Sequence, residues 1–335
     1  MVSSPEPRRR TAHLKPKPNP RPSPAPTLRT GLRADRPMPL GLPEPRWRPV
    51  YQGIDAAELA TDRPRPLVVH VLRLHAHAPG LVPMLTPGNG PDPLETDGQT
   101  TRAFLEAHGL AVAINAHFFD PCCDHRPGQP KDLVGLAIAQ GRLVSPHDPA
   151  DSPDGAQPDV LLLWLGQAPE APIGQDLGTP DPPAWSARLV PAAPPVETLE
   201  HARWLQGVWC ALAGRAVLLD GRPIVGQDAF STTRHPRTLV GLGPAGRWLD
   251  LVVIDGRQPG VSTGASLGEA AEILLALGDR DALNLDGGGS ATMVLRDPDG
   301  ASQLVNSPSG RAERIVGSNL GFVARPLEPV PADPQ

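Results

Sequence analysis

Aromatic residues are scarce in this 335-residue chain: six Trp, five Phe and one Tyr make up 4% of it. Cysteine is scarcer, with only Cys122, Cys123 and Cys210 and no CxxC pair among them. That spacing argues against a zinc site built from thiolates. Free buried thiols are the expectation, and a Cys122–Cys123 disulfide is the alternative. Long apolar runs are also missing. Stretches such as Leu67–Leu72 are far shorter than the roughly 20 residues that cross a bilayer, so no membrane span is expected. Arg8–Arg10 are not followed by an apolar segment, so no signal peptide is recognisable.

The chain is rich instead in Pro (45) and Gly (34). Residues 1–48 carry eleven Lys+Arg against three Asp+Glu, with PPII-like stretches such as Lys15–Pro20 and Arg21–Pro26. The rest of the chain holds 20 basic against 33 acidic residues. Apolar segments recur from Val50 to about Ala324, which is enough chain to bury a substantial core. The expected organisation is therefore a disordered Pro/Arg-rich tail over residues 1–46, a folded domain over 47–325 and a short C-terminal tail over 326–335. An acidic body argues against nucleic acid as a partner, because phosphate neutralisation needs a basic face.

Within the domain, Leu67–Leu74, Leu110–Asn115, Val160–Leu165, Val208–Ala213, Ala216–Leu219, Ala282–Leu285 and Thr292–Leu295 read as strands. Leu133–Ala139 and Arg142–Val144 read as a hairpin around Gln140-Gly141, and Arg237–Gly243 and Trp248–Ile254 as a pair joined by Pro244-Ala-Gly. Thr100–His108 has helical spacing. Ser266 opens a longer helix through a Ser266-x-x-Glu269 capping box, with apolar residues at Ala270, Ile273, Leu274 and Leu277 and Gly278 as the stop. Ser145–Asp159 reads as a loop and Gly166–Val196 as a surface excursion. Short turns and one clear long helix predict an α/β (α+β) class: a single domain with a mixed, largely antiparallel sheet flanked by helices.

The richest chemistry lies at strand ends. Leu285 leads into Asp286-Gly287-Gly288-Gly289-Ser290, with Thr292 just beyond. Three ordered glycines carry an entropic cost that makes sense where a ligand approaches the backbone or successive amides form an anion nest. The loop is not a P-loop, since Gly-Lys-Ser/Thr is missing, nor a dinucleotide fingerprint, since no helix follows directly. Arg234, His235 and Arg237 precede one strand; Asp255 and Arg257 follow the next. Arginine grips phosphate with paired donors, so Arg234, Arg237 and Arg257 could hold a diester. Asn115 and His117 close another strand, and Asn306 and Ser309 are candidates to close the pocket. Glu269 is explained by its capping position, and Glu313–Arg314 reads as a structural pair. Asp120 and His125 fit no strong metal motif, and no metal or cofactor is expected.

Five ordered segments carry a resemblance: NAHFFD (115–120), STTRHPRTLVGLG (231–243), VVIDGRQPGVSTGASLGEAAEIL (252–274), LNLDGGGSATMV (283–294) and VNSPSG…ERIVGSNLGFV (305–323). Together the chain resembles a bacterial-type member of the phosphodiester glycosidase family over roughly residues 47–325. It differs in Ala116-His117, where the family more often has two glycines, and in the insert Cys122–Lys131. The resemblance implies a hydrolase that cleaves the glycosidic bond of a sugar-1-phosphate diester in a glycan or surface polymer, and an extracytoplasmic location. The chemistry needs charge stabilisation on the departing phosphate and a carboxylate for the oxocarbenium-like carbon or the attacking water. Arg234, Arg237 and Arg257 suit the first; Asp255 and Asp286 suit the second. His117 and Asn115 would orient the sugar or a proton, and Gly287, Gly288, Gly289, Ser290, Thr292 and Asn306 would contact substrate. Two other readings stay open: a catalytically silent carbohydrate-binding protein, and a phosphodiesterase that cuts the P–O bond.

Overall fold

The structure is a computed structural model that describes residues 36–90, 94–122, 126–147, 159–168, 184–200 and 202–328. The strands form a twelve-stranded sheet, a five-stranded sheet and a small three-stranded one. In the large sheet the order is Arg48–Tyr51, Ile54–Thr61, Leu67–His75, Trp248–Ile254, Arg237–Leu242, Asp281–Asn284, Cys210–Leu219, Asp159–Leu165 and Trp185–Val190. Three short strands branch from this path near Cys210–Leu219. The five-stranded sheet runs Ser302–Leu304, Met293–Arg296, Val112–Asn115, Asn319–Val323 and Val82–Leu85.

Alternation explains the layers. Leu251 and Val253 point into a core shared with Val112, Ile114, Met293, Leu320 and Phe322 of the five-stranded sheet. Val252 and Ile254 point the other way, into a second core under the helix Leu267–Leu277. Both faces are covered, so Leu251–Ile254 reads as a continuous apolar run rather than an alternating one. The helix contributes Leu267, Ala270, Ala271, Ile273, Leu274 and Leu277. Its capping box is complete in both directions, and Gly278 ends it at φ 98°, a conformation a β-carbon would strain.

Several expectations are corrected. Every strand pair among the described residues is antiparallel, so the large sheet is not mixed. Helices are few, with Thr101–Ala107, Ala229–Thr232 and Leu267–Leu277 described, and the architecture is closer to all-β than to a sheet flanked by helices. The two strands expected over 208–219 are one, Cys210–Leu219. It pairs with Asp159–Leu165 through Gly214 and with Asp281–Asn284 from Arg215 onward. A Cβ on Gly214 would stand 2.5 Å from the Asn284 carbonyl, so this glycine serves the change of partner and not a turn. Part of the supposed surface excursion is the strand Trp185–Val190, with Trp185 fully buried; residues 169–183 lie outside the described ones, as do 148–158 of the Ser145–Asp159 loop. Cys122 is disulfide-bonded, against the expectation of a free thiol, and Cys123 lies outside the described residues. Cys210 is free and buried.

Residues 36–46, read by sequence as tail, supply Met38 and Leu42 to the core under the long helix. Both are nearly fully buried, and burying such side chains is worth about 1.5–3 kcal/mol each. A chain beginning at Trp47 is therefore expected to be less stable than one beginning at Arg36 by about 3–6 kcal/mol, measured by urea unfolding.

Candidate active site

Topology brings the candidate residues to one place. Trp248–Ile254 and Asp281–Asn284 both run antiparallel to Arg237–Leu242, which lies between them. The exits of the two outer strands and the entrance of the middle one thus share one edge of the sheet. Asp255, Asp286 and Arg237 sit at that edge. Asn115, from the five-stranded sheet, joins them: its Nδ2 donates to the Asp286 carbonyl at 2.6 Å. Next to it, the Asp286 amide donates to the Ala116 carbonyl at 2.9 Å.

The triglycine loop is the floor. A Cβ on Gly287 would stand 2.7 Å from the Pro236 carbonyl, and the Gly288 amide donates to that same oxygen. A Cβ on Gly288 would stand 3.1 Å from the guanidinium of Arg257. On Gly289 it would collide with the guanidinium of Arg314. The glycines therefore make room for two cations over neighbouring residues, whose Cα atoms are about 3.8 Å apart. The expected nest of free amides is not what the loop offers: the Gly287 amide donates to Asp286 Oδ1, and those of Gly288, Ser290 and Ala291 donate to backbone carbonyls. The two guanidiniums seated over Gly288 and Gly289 are donors an anion would meet.

Asp286 lies among them. Burial pushes its carboxyl up to about 6, against the lowering contributions of Ser290, the Gly287 amide and Arg314. The residue as a whole is half-buried. Arg314 also donates to Ser290 Oγ at 3.3 Å, so the hydroxyl links acid and cation. Arg257 is exposed, at φ 58°, and its Nη2 lies 3.1 Å from His235 Nδ1. A guanidinium can only donate, so Nδ1 accepts and the imidazole proton resides on Nε2. Burial first, then Arg237 and Arg257, lower the affinity of His235 for a second proton.

Other candidates are turned inward. His117 is fully buried, with Nδ1 3.0 Å from Ser318 Oγ and Nε2 3.1 Å from the Ala213 amide. Nε2 lies equally close to the Leu136 carbonyl, at 3.1 Å; burial holds the ring's pKa down at about 4. Asp255 is 3% exposed. Its carboxylate receives Asn306 Nδ2 and the Ser307 amide, and lies 3.1 Å from His70 Nε2. Asn306 is itself held by the Ala291 carbonyl and the Met293 amide. Asn115 Oδ1 accepts from Thr238 Oγ1 and the Thr292 amide, and Thr292 is buried. Arg237 is 1% exposed and donates to the carbonyls of Ala265, Phe230 and Thr233. The buried ones among these side chains shape the loops, because polar groups at a strand end answer the unpaired backbone there first. Arg234 is the exception: it is exposed and pairs with Glu269, which also pairs with Arg65. Glu313 pairs with Arg102, not with Arg314, and it is Arg314 that reasoning from sequence missed as a site residue. Its signal was an arginine, one of two with Arg311, within the last of the five segments. His125 lies outside the described residues, and no group of three or more His, Cys, Asp or Glu suited to a metal occurs among the described ones. No described helix is long and apolar enough to cross a membrane. A separate cavity of about 710 Å3, lined by Glu95, Asp132, Gln140 and Arg142 among others, shares no residue with this cluster.

Comparison with known proteins points the same way. A family model described as phosphodiester glycosidase matches residues 108–323. A search of curated proteins finds no match. Among solved structures, the catalytic domain of zebrafish N-acetylglucosamine-1-phosphodiester alpha-N-acetylglucosaminidase, auto-inhibited by its pro-peptide, is 20% identical with a TM-score of 0.54, covering 83% of this chain and 85% of that one. A Burkholderia pseudomallei protein described as exported is 21% identical, TM-score 0.51, covering 77% and 74%. A hypothetical protein from Synechocystis is 18% identical, TM-score 0.52, covering 82% of this chain but only 62% of that one. At these identities the likeness is one of fold.

Two outcomes test this geometry. A Cβ on Gly264, at φ 88°, would stand 2.6 Å from the His235 backbone, whereas Gly90, at φ 89°, has open space. Both substitutions by Ala carry the backbone penalty; Gly264→Ala should cost at least about 2 kcal/mol more than Gly90→Ala in urea unfolding. For His117, the unfolded chain binds a proton below its ordinary value of 6.5 and the folded one only below about 4. Acid therefore favours the unfolded state across that window, and stability should fall by about 3 kcal/mol as pH drops through it, less steeply in His117→Asn; NMR should show a neutral ring until about pH 4.

Proposed function

The chain belongs to the phosphodiester glycosidase family, and from that membership and the geometry of the triglycine loop we propose that it hydrolyses the glycosidic bond of a sugar-1-phosphate diester. The observation that carries the reading is the pair of guanidiniums, Arg257 and Arg314, seated over Gly288 and Gly289 beside the perturbed carboxyl of Asp286. A phosphodiester carries one negative charge before C–O cleavage and gains a second as the phosphate monoester departs. Two fixed cations stabilise that gain more than the ground state, which is what lowers a barrier. Asp286, ionised, stabilises the positive charge building on the anomeric carbon and takes a proton from the attacking water. Water oxygen bonds to that carbon, the C–O bond breaks with its electron pair going to phosphate oxygen, and the proton leaves through Asp286. His235 holds Arg257, and Ser290 links Asp286 to Arg314. Asp255, His117, Asn115, Arg237, Thr292 and Asn306 act as positioning residues behind this set. The exported structural relative and the disulfide at Cys122 support an extracytoplasmic site of action, where disulfides persist.

In oxygen-18 water, label should enter the sugar; label in phosphate instead would establish P–O cleavage. kcat/KM should rise with pH through about 6 as Asp286 ionises in the free protein. Asp286→Asn should lower kcat by about 10²–10⁴-fold while inorganic phosphate still binds. Arg314→Ala should weaken substrate and phosphate alike. A parent protein that binds sugar phosphodiesters without turnover would establish the binding-only alternative.

A further inference from the structure

Phe230 is an aromatic side chain left 37% exposed in a chain with few aromatics, and the surrounding structure holds it there. The short helix Ala229–Thr232 begins at Asp228, whose side chain accepts from the Ser231 amide and hydroxyl and pairs with Arg215. The fully buried Arg237 donates to the Phe230 and Thr233 carbonyls, and its guanidinium carbon lies 4.7 Å from the Phe230 ring centroid. Burial, then Arg257 and Arg215, push the Arg237 pKa down to about 10, so a guanidinium is kept where its charge is disfavoured and its donors fix this turn. Phe118 meets Phe230 edge-on, with centroids 6.0 Å apart.

Both rings hang from segments bonded to the triglycine loop. Phe118 follows Ala116 by two residues, and the Ala116 carbonyl accepts from the Asp286 amide at 2.9 Å. Two residues span at most about 7 Å, on the order of one pyranose ring. The loop after Phe230 supplies Pro236, whose carbonyl accepts from Gly288. The aromatic surface thus stands on two segments that main-chain hydrogen bonds join to the loop under the anion clamp.

Resting on the function proposed above and going beyond it, we infer that Phe230, backed by Phe118, is the platform on which the apolar face of the substrate's pyranose ring packs, and that it selects sugar phosphodiesters over other phosphodiesters. Axial and ring C–H groups supply an apolar face that packs on an aromatic ring, while the equatorial hydroxyls stay hydrated.

The test uses the full chain and two separate probes: methyl glycopyranosides, which carry no phosphate, followed by saturation-transfer NMR, and inorganic phosphate, followed by calorimetry. In the parent, one face of the pyranoside should receive saturation. Phe230→Ala should weaken pyranoside binding about tenfold or more, Phe230→Tyr should preserve it, and phosphate affinity should be the same in all three. Unchanged pyranoside binding in Phe230→Ala overturns the platform. So does a parent that binds phosphate but no pyranoside, or a Phe230→Ala variant whose main change is in sedimentation, which would mark the ring as a contact between copies of the chain. Pyranoside binding lost in Phe230→Ala, with no phosphate binding even in the parent, would sustain the platform and defeat the phosphate clamp instead.

Discussion

The site depends on one steric constraint: several backbones must approach more closely than a β-carbon allows. Gly287 lies against Pro236, Gly256 against Gly264 and Pro236, and Gly264 against His235. These contacts lock the loop that precedes the strand Arg237–Leu242 and the loops that follow its two neighbours into a single body. Without them Arg257 and Arg314 would have no seats on Gly288 and Gly289, and Asp286 would lose its enclosure beside Arg314. The left-handed turns at Gly264 and Gly288, at φ 88° and 61°, belong to the same requirement, since glycine adopts them at little steric cost. The sheet supplies the edge, and the glycines decide how tightly the edge can be closed.

Behind that floor stands a layer of buried polar groups that serve the backbone. Asn115 uses both ends of its amide to tie the Asp286 carbonyl to Thr238 and the Thr292 amide. Asp255 gathers His70, Asn306 and Ser307, and through Asn306 reaches the backbone at Ala291 and Met293. Arg237 satisfies three carbonyls around the short helix that carries Phe230. Unpaired polar groups in a low-dielectric interior are expensive, and these side chains meet that demand where strands stop and ladder bonds end. Their contribution to any ligand is indirect, through the geometry they hold.

This explains what could be read from the amino-acid order and what could not. The long helix was legible to the residue, because Ser266, Glu269 and Gly278 are local signals with local causes. The paired strands Arg237–Leu242 and Trp248–Ile254 were legible for the same reason. The partner change at Gly214 was not, since nothing within the chain segment announces that the Asn284 carbonyl will pass beside it. The strand ends bearing Asn115, Arg237, Asp255 and Asp286 do meet, yet residue type alone did not tell which side chains face the cleft and which face the loops. Both uses select the same amides, carboxylates and guanidiniums. Arg314 was obscured by adjacency: beside Glu313 it looked paired, but the backbone sends Glu313 to Arg102 and Arg314 to the triglycine.

On the function proposed, the electrostatics of the cluster would connect binding to catalysis. Enclosure disfavours a charge on Asp286, while Arg314 favours it. An anion seated between Arg257 and Arg314 adds a like charge beside the carboxyl and offsets the pull of the guanidinium. Anion binding therefore raises the proton affinity of Asp286 further, and by linkage a protonated Asp286 favours the anion by the same factor. In the proposed cleavage both changes would move together: the phosphate would gain charge as water gave its proton to Asp286, so each event would stabilise the other. The reverse would govern release: once the carboxyl returned its proton to solvent, it would again repel the phosphate beside it. On that proposal a single carboxylate next to the clamp couples departure of the leaving group to proton transfer.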